Sequence, residues 1–296
     1  LYYNYLYFKN MLLIHKYKLF LFKLSVILLM IFIFSCSNHE FDILIVNGTI
    51  VDGSGSTPYK ADIGIIDDRI TQIGNLSNSA GKHTIDALNL TVSPGFIDSH
   101  THAVRGIFDV PTAESSILQG VTTLTEGNDG TSPYPIDEHY KAIKDAQITP
   151  NWSVFVGQGT IRRKVMGMEN RNPTKDELAL MRSMVRQAME DGALGISTGL
   201  FYVPGSFSTT KEVIELSKEA ADYGGIYISH MREEASEIIK SVNETINIGI
   251  KANIPVQITH HKIIGKNNWG LSSETLKLVD ASIEKGLKVT IDQYPY

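Results

Sequence analysis

The stretch PTKDELALMRSMVRQAMEDGALGIST, Pro173–Thr198, carries two periodicities back to back. Leu178, Met181, Val185 and Ala188 recur at i, i+3, i+7 and i+10, the spacing of one helical face, and Gly192 stops the run. Leu194–Thr198 follows as a short apolar strand. The same unit repeats downstream. Thr209-Thr210-Lys211-Glu212 has capping-box spacing and opens a helix that ends at Gly224-Gly225, before a strand at Ile226–Ser229. Ile238, Ile239, Val242 and Ile246 mark a third helix, ahead of Val256–Thr259. A fourth runs from Ser272 through Leu276, Val279 and Ile283 to Gly286, ahead of Lys288–Ile291. Upstream, Phe96–Ser99, Thr122–Glu126 and Ser153–Val156 read as strands of the same texture. Strand–helix alternation implies a parallel sheet. Seven strands in one direction favour an α/β fold of the (β/α)8 barrel type over an open doubly wound sheet.

Residues 41–93 differ. Ile43–Val46, Thr49–Val51, Asp62–Ile66 and Ile70–Ile73 are short strands divided by Asn47-Gly48, Asp52-Gly53-Ser54-Gly55 and Asp67-Asp68. They predict a small antiparallel β unit, part of a β-sandwich, with the barrel beginning at residue 94.

The leading segment is an address. Residues 1–39 hold four lysines and no acid, and Met11 is the first methionine, which suggests that residues 1–10 precede the true start. The apolar run Leu24–Phe34 is too short for a bilayer core of ~30 Å. Ser35-Cys36-Ser37 follows it, an arrangement that resembles a bacterial lipoprotein signal with Cys36 as the lipidated residue. Residues 1–36 are thus read as a leader, and the body as membrane-anchored in the bacterial cell envelope, outside the cytoplasm. An uncleaved anchor reaching back through Leu19–Phe22 is the alternative.

Composition narrows the function. With 27 basic and 32 acidic residues the net charge is −5, which argues against a nucleic-acid binder relying on a basic field. A single cysteine excludes a disulfide framework and a cysteine zinc cluster within one chain. Nine histidines leave room for a histidine metal site. Parallel-barrel active sites lie at the C-terminal ends of strands. There the chain places His100 and His102, Glu126 and Asp129, His230, His260-His261, and Asp292 with Tyr294. Residues i and i+2 of an extended segment face one side, so His100 and His102 can reach one ion, whereas only one of His260 and His261 can point inward.

Pro94-Gly95-Phe96-Ile97-Asp98-Ser99-His100-Thr101-His102 resembles the first-strand signature of the amidohydrolase superfamily. That superfamily has single histidines after strands five and six and an aspartate after strand eight. Four further segments resemble the D-aminoacylase, or N-acyl-D-amino-acid deacylase, family: Gly120–Gly130, Ser197–Gly205, Ile228–Arg232 and Thr259–Lys262. Asp292–Tyr296 adds a fifth. The resemblance implies metal-dependent hydrolysis of the amide of an N-acyl-D-amino acid. It implies one tight zinc on His230, His260 and Asp129, and a second, weaker position completed by His100 and His102. Tyr202, Lys262 and Tyr294 would grip the small-molecule substrate.

There are two departures. Asp129 stands where the family commonly has a metal-bound cysteine. The sequence given also stops after the seventh strand, so the eighth, with its general-base aspartate, is absent and the chain as written is expected to be inactive. Another amidohydrolase of the cyclic-amidase or dihydroorotase type is a competing reading, although Ile196–Gly199 lacks the lysine many of those need. A lipid-anchored binding protein with a degenerate metal site is a third. The preferred side chain and the oligomeric state are not legible.

Overall fold

The computed structural model describes residues 40–294, which divide into two compact units between Pro94 and Gly95. Cys36 and the leader lie outside the described residues. No helix among the described residues is long and apolar enough to cross a membrane.

The first unit is a five-stranded mixed sheet of β1 (Glu40–Ile50), β2 (Tyr59–Ile66), β3 (Arg69–Gly74), β4 (Ala80–Asp86) and β5 (Thr91–Val92). The antiparallel pairs are β1–β2 and β2–β3, but β1 also pairs in parallel with β4 and β5. The expected all-antiparallel pairing is corrected there. The expected turn at Asn47-Gly48 is also corrected: it is a bulge inside one continuous strand. Ile45 faces Ile63 and Gly48 faces Ala61, so β1 uses one residue more than β2 over that interval. Asn47 takes φ +62° and is held by Asp62, which accepts its N–H at 2.9 Å. Phe41, Leu44 and Leu76 form the small core of this unit.

The second unit contains β6 (Phe96–Asp98), β7 (Val121–Glu126), β8 (Asn151–Val154), β9 (Val156–Gly157), β10 (Gly195–Gly199), β11 (Ile226–His230), β12 (Val256–Ile258) and β13 (Val289–Ile291). All ladders are parallel, in the orders β6-β7-β8 and β9-β10-β11-β12-β13. Residues 151–157 form one strand position interrupted at Phe155, so seven successive positions are present. Among the described residues β6 and β13 each pair with one neighbour, and a closed barrel is not formed.

The helices are α1 (Glu114–Ile117), α2 (Ile136–Asp145), α3 (Gln158–Met166), α4 (Lys175–Glu190), α5 (Thr210–Ala221), α6 (Ile238–Ala252) and α7 (Ser272–Glu284). Thr174 and Glu177 close a reciprocal capping box on α4, and Met181, Val185 and Ala188 are buried beneath it, as the stripe predicts. They share one apolar core with Ile196, Tyr227, Val242 and Val256. In α7 the face differs from the sequence reading. Leu276 and Ile283 are exposed, whereas Thr275, Val279 and Ser282 are buried. Thr275 turns inward because its hydroxyl pairs with His261 Nε2 at 3.0 Å.

Candidate metal centre

Asp98 ends β6, and its Oδ1 accepts the backbone N–H of His100 at 3.2 Å, turning the chain. Thr101 faces away from the two histidines flanking it. Its hydroxyl donates to Glu126 Oε1 at 3.0 Å, and the same oxygen accepts Val104 N–H at 2.9 Å. Glu126 therefore anchors the His100–His102 turn from behind and is not part of the centre itself. Asn128 adds two donations, to the carbonyls of Thr101 and Thr125. Rigidity comes from this backing.

Asp129 follows β7 in a left-handed conformation, φ +56°, and divides its carboxylate between two histidine pairs. Oδ2 lies 3.6 Å from His100 Nε2 and 3.3 Å from His102 Nε2. Oδ1 lies 3.5 Å from His230 Nδ1 and 3.6 Å from His260 Nε2. His230 ends β11. His260 leaves β12 with φ +37°, and Asp292 Oδ1 accepts its N–H at 2.5 Å. His261 turns the other way, to Thr275. The alternation expected of adjacent residues decides between the two histidines.

Two triads result, His100–His102–Asp129 and Asp129–His230–His260, each with its ligand atoms within 4.8 Å of one another. Their donor set of imidazoles and one carboxylate suits zinc. Asp129 Oδ1 is buried without a hydrogen bond, a costly state that a cation between it and the two rings would relieve. The residues fit a metal.

The electrostatics agree. Burial disfavours the Asp129 carboxylate, but the four surrounding imidazoles outweigh it and hold its pKa far below the ordinary value. Burial would likewise lower His100 and His260. Asp129 with Asp292 raises the first to about 9, and Asp129 with Glu234 raises the second to about 9.

The remaining sequence-derived residues meet here too. A cavity of about 870 Å³ is lined by the five metal candidates together with Tyr202, Lys262 and Tyr294. The Tyr202 ring is tilted against His230, ring centroids 4.6 Å apart, and Lys262 Nζ lies 5.9 Å from the Tyr294 ring. The loop bearing Tyr202 is secured by Arg232, whose guanidinium donates to the carbonyls of Ser206 and Ser208 and to Glu244.

Two residues were missed. Glu234 lies 3.1 Å from His260 Nδ1 and 2.5 Å from Lys262 Nζ. Asp292, in sequence a strand-end acid opening the fifth family-like segment, has no role assigned there, yet it lies 3.6 Å from His100 Nδ1 and accepts Gln257 Nε2 at 2.5 Å. No local spacing marks either role, because each partner comes from a different strand end.

Comparison with known proteins identifies the family. The model of the "Amidohydrolase family" matches residues 83–268. A D-aminoacylase of Alcaligenes xylosoxydans xylosoxydans is 39% identical over 282 residues, covering 88% of this chain and 58% of its own length. A D-aminoacylase structure concerned with the functional role of a binuclear metal centre superposes with TM-score 0.82 at 36% identity, over 86% of this chain and 59% of that one. An N-acyl-D-glutamate deacylase of Bordetella bronchiseptica superposes with TM-score 0.83 at 32% identity, covering 87% and 59%. That protein was crystallised with zinc and a phosphonate mimic of the tetrahedral intermediate. The chain thus spans somewhat over half the length of these relatives. By the matched residues and the arrangement of its strands, this chain belongs to the amidohydrolase family.

Proposed function

We propose that this chain carries the metal centre and much of the substrate pocket of a zinc-dependent N-acyl-D-amino-acid deacylase, which releases a carboxylate and a free D-amino acid. The observation that carries the reading is the division of Asp129 between two histidine pairs inside the cavity that Tyr202, Lys262 and Tyr294 line. Asp129–His230–His260 is the more buried set and is assigned the tighter ion. His100 and His102, with the other Asp129 oxygen, hold a second, weaker one. Bound zinc supplies an activated water near neutral pH and polarises the amide carbonyl.

The protein's own residues bind and orient. Lys262 offers a point charge to the substrate carboxylate, and Tyr202 and Tyr294 flank it. Arg232 fixes the backbone of the loop that follows Tyr202. Burial, with the nearby charges of Asp129 and Glu234, raises the Tyr202 pKa, so its hydroxyl stays a hydrogen-bond donor. Asp292 is engaged by the His260 N–H and by Gln257, and serves the frame of the site rather than proton transfer. The general base is assigned to none of the described residues. For that reason, and because β6 and β13 stand with one partner each, the 296 residues by themselves are expected to bind zinc without turnover.

The lipid anchor at Cys36 and the extracytoplasmic location remain part of the proposal, supported by the leader sequence alone. The cyclic-amidase reading is disfavoured by the end of β10, Ser197-Thr198-Gly199, which has no lysine.

The test is a chimera in which residues 37–296 replace the matching part of the Alcaligenes D-aminoacylase. Zinc-dependent hydrolysis of N-acetyl-D-amino acids, with the L enantiomers spared, is the expected result. Zinc loading without hydrolysis of any D substrate rejects the deacylase assignment.

A further inference from the structure

Glu234 is an odd residue for this cavity. Its carboxylate is 5% exposed, it follows β11 by four positions, and the reaction assigns it no part. Oε2 is spoken for by Lys262 Nζ at 2.5 Å. Oε1 is buried and has no hydrogen bond, yet lies 3.1 Å from His260 Nδ1. That nitrogen is instead approached by Lys262 Nζ at 3.0 Å. The opposite ring nitrogen, Nε2, faces Asp129 and His230.

An imidazole that gives one nitrogen to a metal carries its proton on the other, and ligand histidines almost always donate that second N–H to a carboxylate or carbonyl. Metal on His260 Nε2 places a proton on Nδ1. Nδ1 can then no longer accept from Lys262, and the acceptor within reach is the unsatisfied Glu234 Oε1. The lysine stays attached through Oε2. One carboxylate then holds a metal ligand on one oxygen and the cation of the substrate pocket on the other.

We propose that Glu234 is a positioning residue that fixes His260 with Nε2 toward the metal and ties Lys262 to the same frame. The inference rests on the zinc assignment of Asp129–His230–His260, and it adds a residue that no feature of the sequence marked.

The experiment measures zinc affinity of the full chain, stripped with a chelator and titrated in competition with a chromophoric chelator. Glu234→Gln is expected to weaken the tighter zinc about 10- to 100-fold. Glu234→Asp, which keeps the charge, should recover part of the loss. Lys262→Met leaves Glu234 wholly to His260, so zinc affinity should hold or tighten. Thermal unfolding of the metal-free proteins separates a positioning role from a structural one: the Glu234→Gln midpoint should stay within a few degrees of wild type. Unchanged affinity in Glu234→Gln, or a loss in Lys262→Met as large as in Glu234→Gln, overturns the proposal. A large fall in the metal-free midpoint also overturns it, in favour of a structural role. A wild-type chain that binds no zinc rejects the metal assignment itself, an outcome distinct from the others.

Discussion

Gly130 packs so closely on Gly199 that a Cβ on Gly130 would stand 2.5 Å from the Gly199 backbone nitrogen. The contact presses the loop after β7 against the end of β10, directly beside Asp129 and one ladder step from His230. Gly130 also has φ +74°, a region that an L side chain enters only with strain. Gly130→Ala should therefore cost about 1–3 kcal/mol from overpacking, with backbone strain in addition, and should displace Asp129. Thermal unfolding and zinc stoichiometry check this together. A variant with native stability and full zinc would show that the loop does not approach so closely.

His230→Ala removes one nitrogen from the more buried triad, and tight zinc binding should be lost. His102→Ala, on the half-exposed side of Asp129, should spare the tight ion and remove only the weaker one. Metal analysis after dialysis distinguishes the two. Stoichiometric zinc in His230→Ala would sink the assignment.

Asp129 is shared, so Asp129→Ala should empty both positions rather than one. Asp129→Cys exchanges a hard oxygen for a soft sulfur and should tighten zinc relative to manganese. Competition titrations give the preference. An unchanged preference in both variants would return Asp129 to the role of a turn residue.

A pH effect is expected away from the cavity. His139 is buried at 8% exposure, and its Nε2 accepts the Trp152 indole N–H at 3.0 Å, so the folded state requires the neutral ring. Burial lowers its pKa below the ordinary 6.5. With the folded pKa depressed, its contribution to stability is present above 6.5 and is lost as pH falls toward the folded value. Between pH 7.5 and 5.5 this contribution falls, against those of His100 and His260, which grow as pH falls, so urea unfolding is compared between wild type and His139→Gln at both pH values. On acidification wild type should fare worse than His139→Gln, while His261, which burial shifts the same way, contributes equally to both. An equal pH dependence in wild type and variant would exclude His139 as a source.

Much of the centre was legible because its rules are local. Period-two geometry puts His100 and His102 on one side, strand ends face one rim, and adjacency separates His260 from His261. The α4 stripe worked for the same reason, since propensity, cap and burial agree there. The failures share a cause as well. Asn47-Gly48 has turn chemistry, yet the ladder on both sides of β1 absorbs it as a bulge. The inward face of α7 is set by the bond from Thr275 to His261, so the apolar Leu276 and Ile283 are left outside. Glu234 and Asp292 act on histidines delivered by other segments, a relation that no window of sequence contains.

The division of Asp129 also bears on how the second unit holds together. His100, His102 and Asp129 come from the β6-β7-β8 sheet, whereas His230 and His260 come from β11 and β12 of the other. The sheets share the chain through Asn151–Gly157, and among the described residues β6 and β13 have no ladder between them. A cation seated on Asp129, His230 and His260 therefore adds a tie between the two sheets beyond the Ser197 hydroxyl, which already links the loop after β7 to β10. Its removal should loosen the seam before the core beneath α4 and α6, so amide exchange would rise first around residues 98–105 and 258–262. The ion would then be one more fastening by which two sheets behave as one wall.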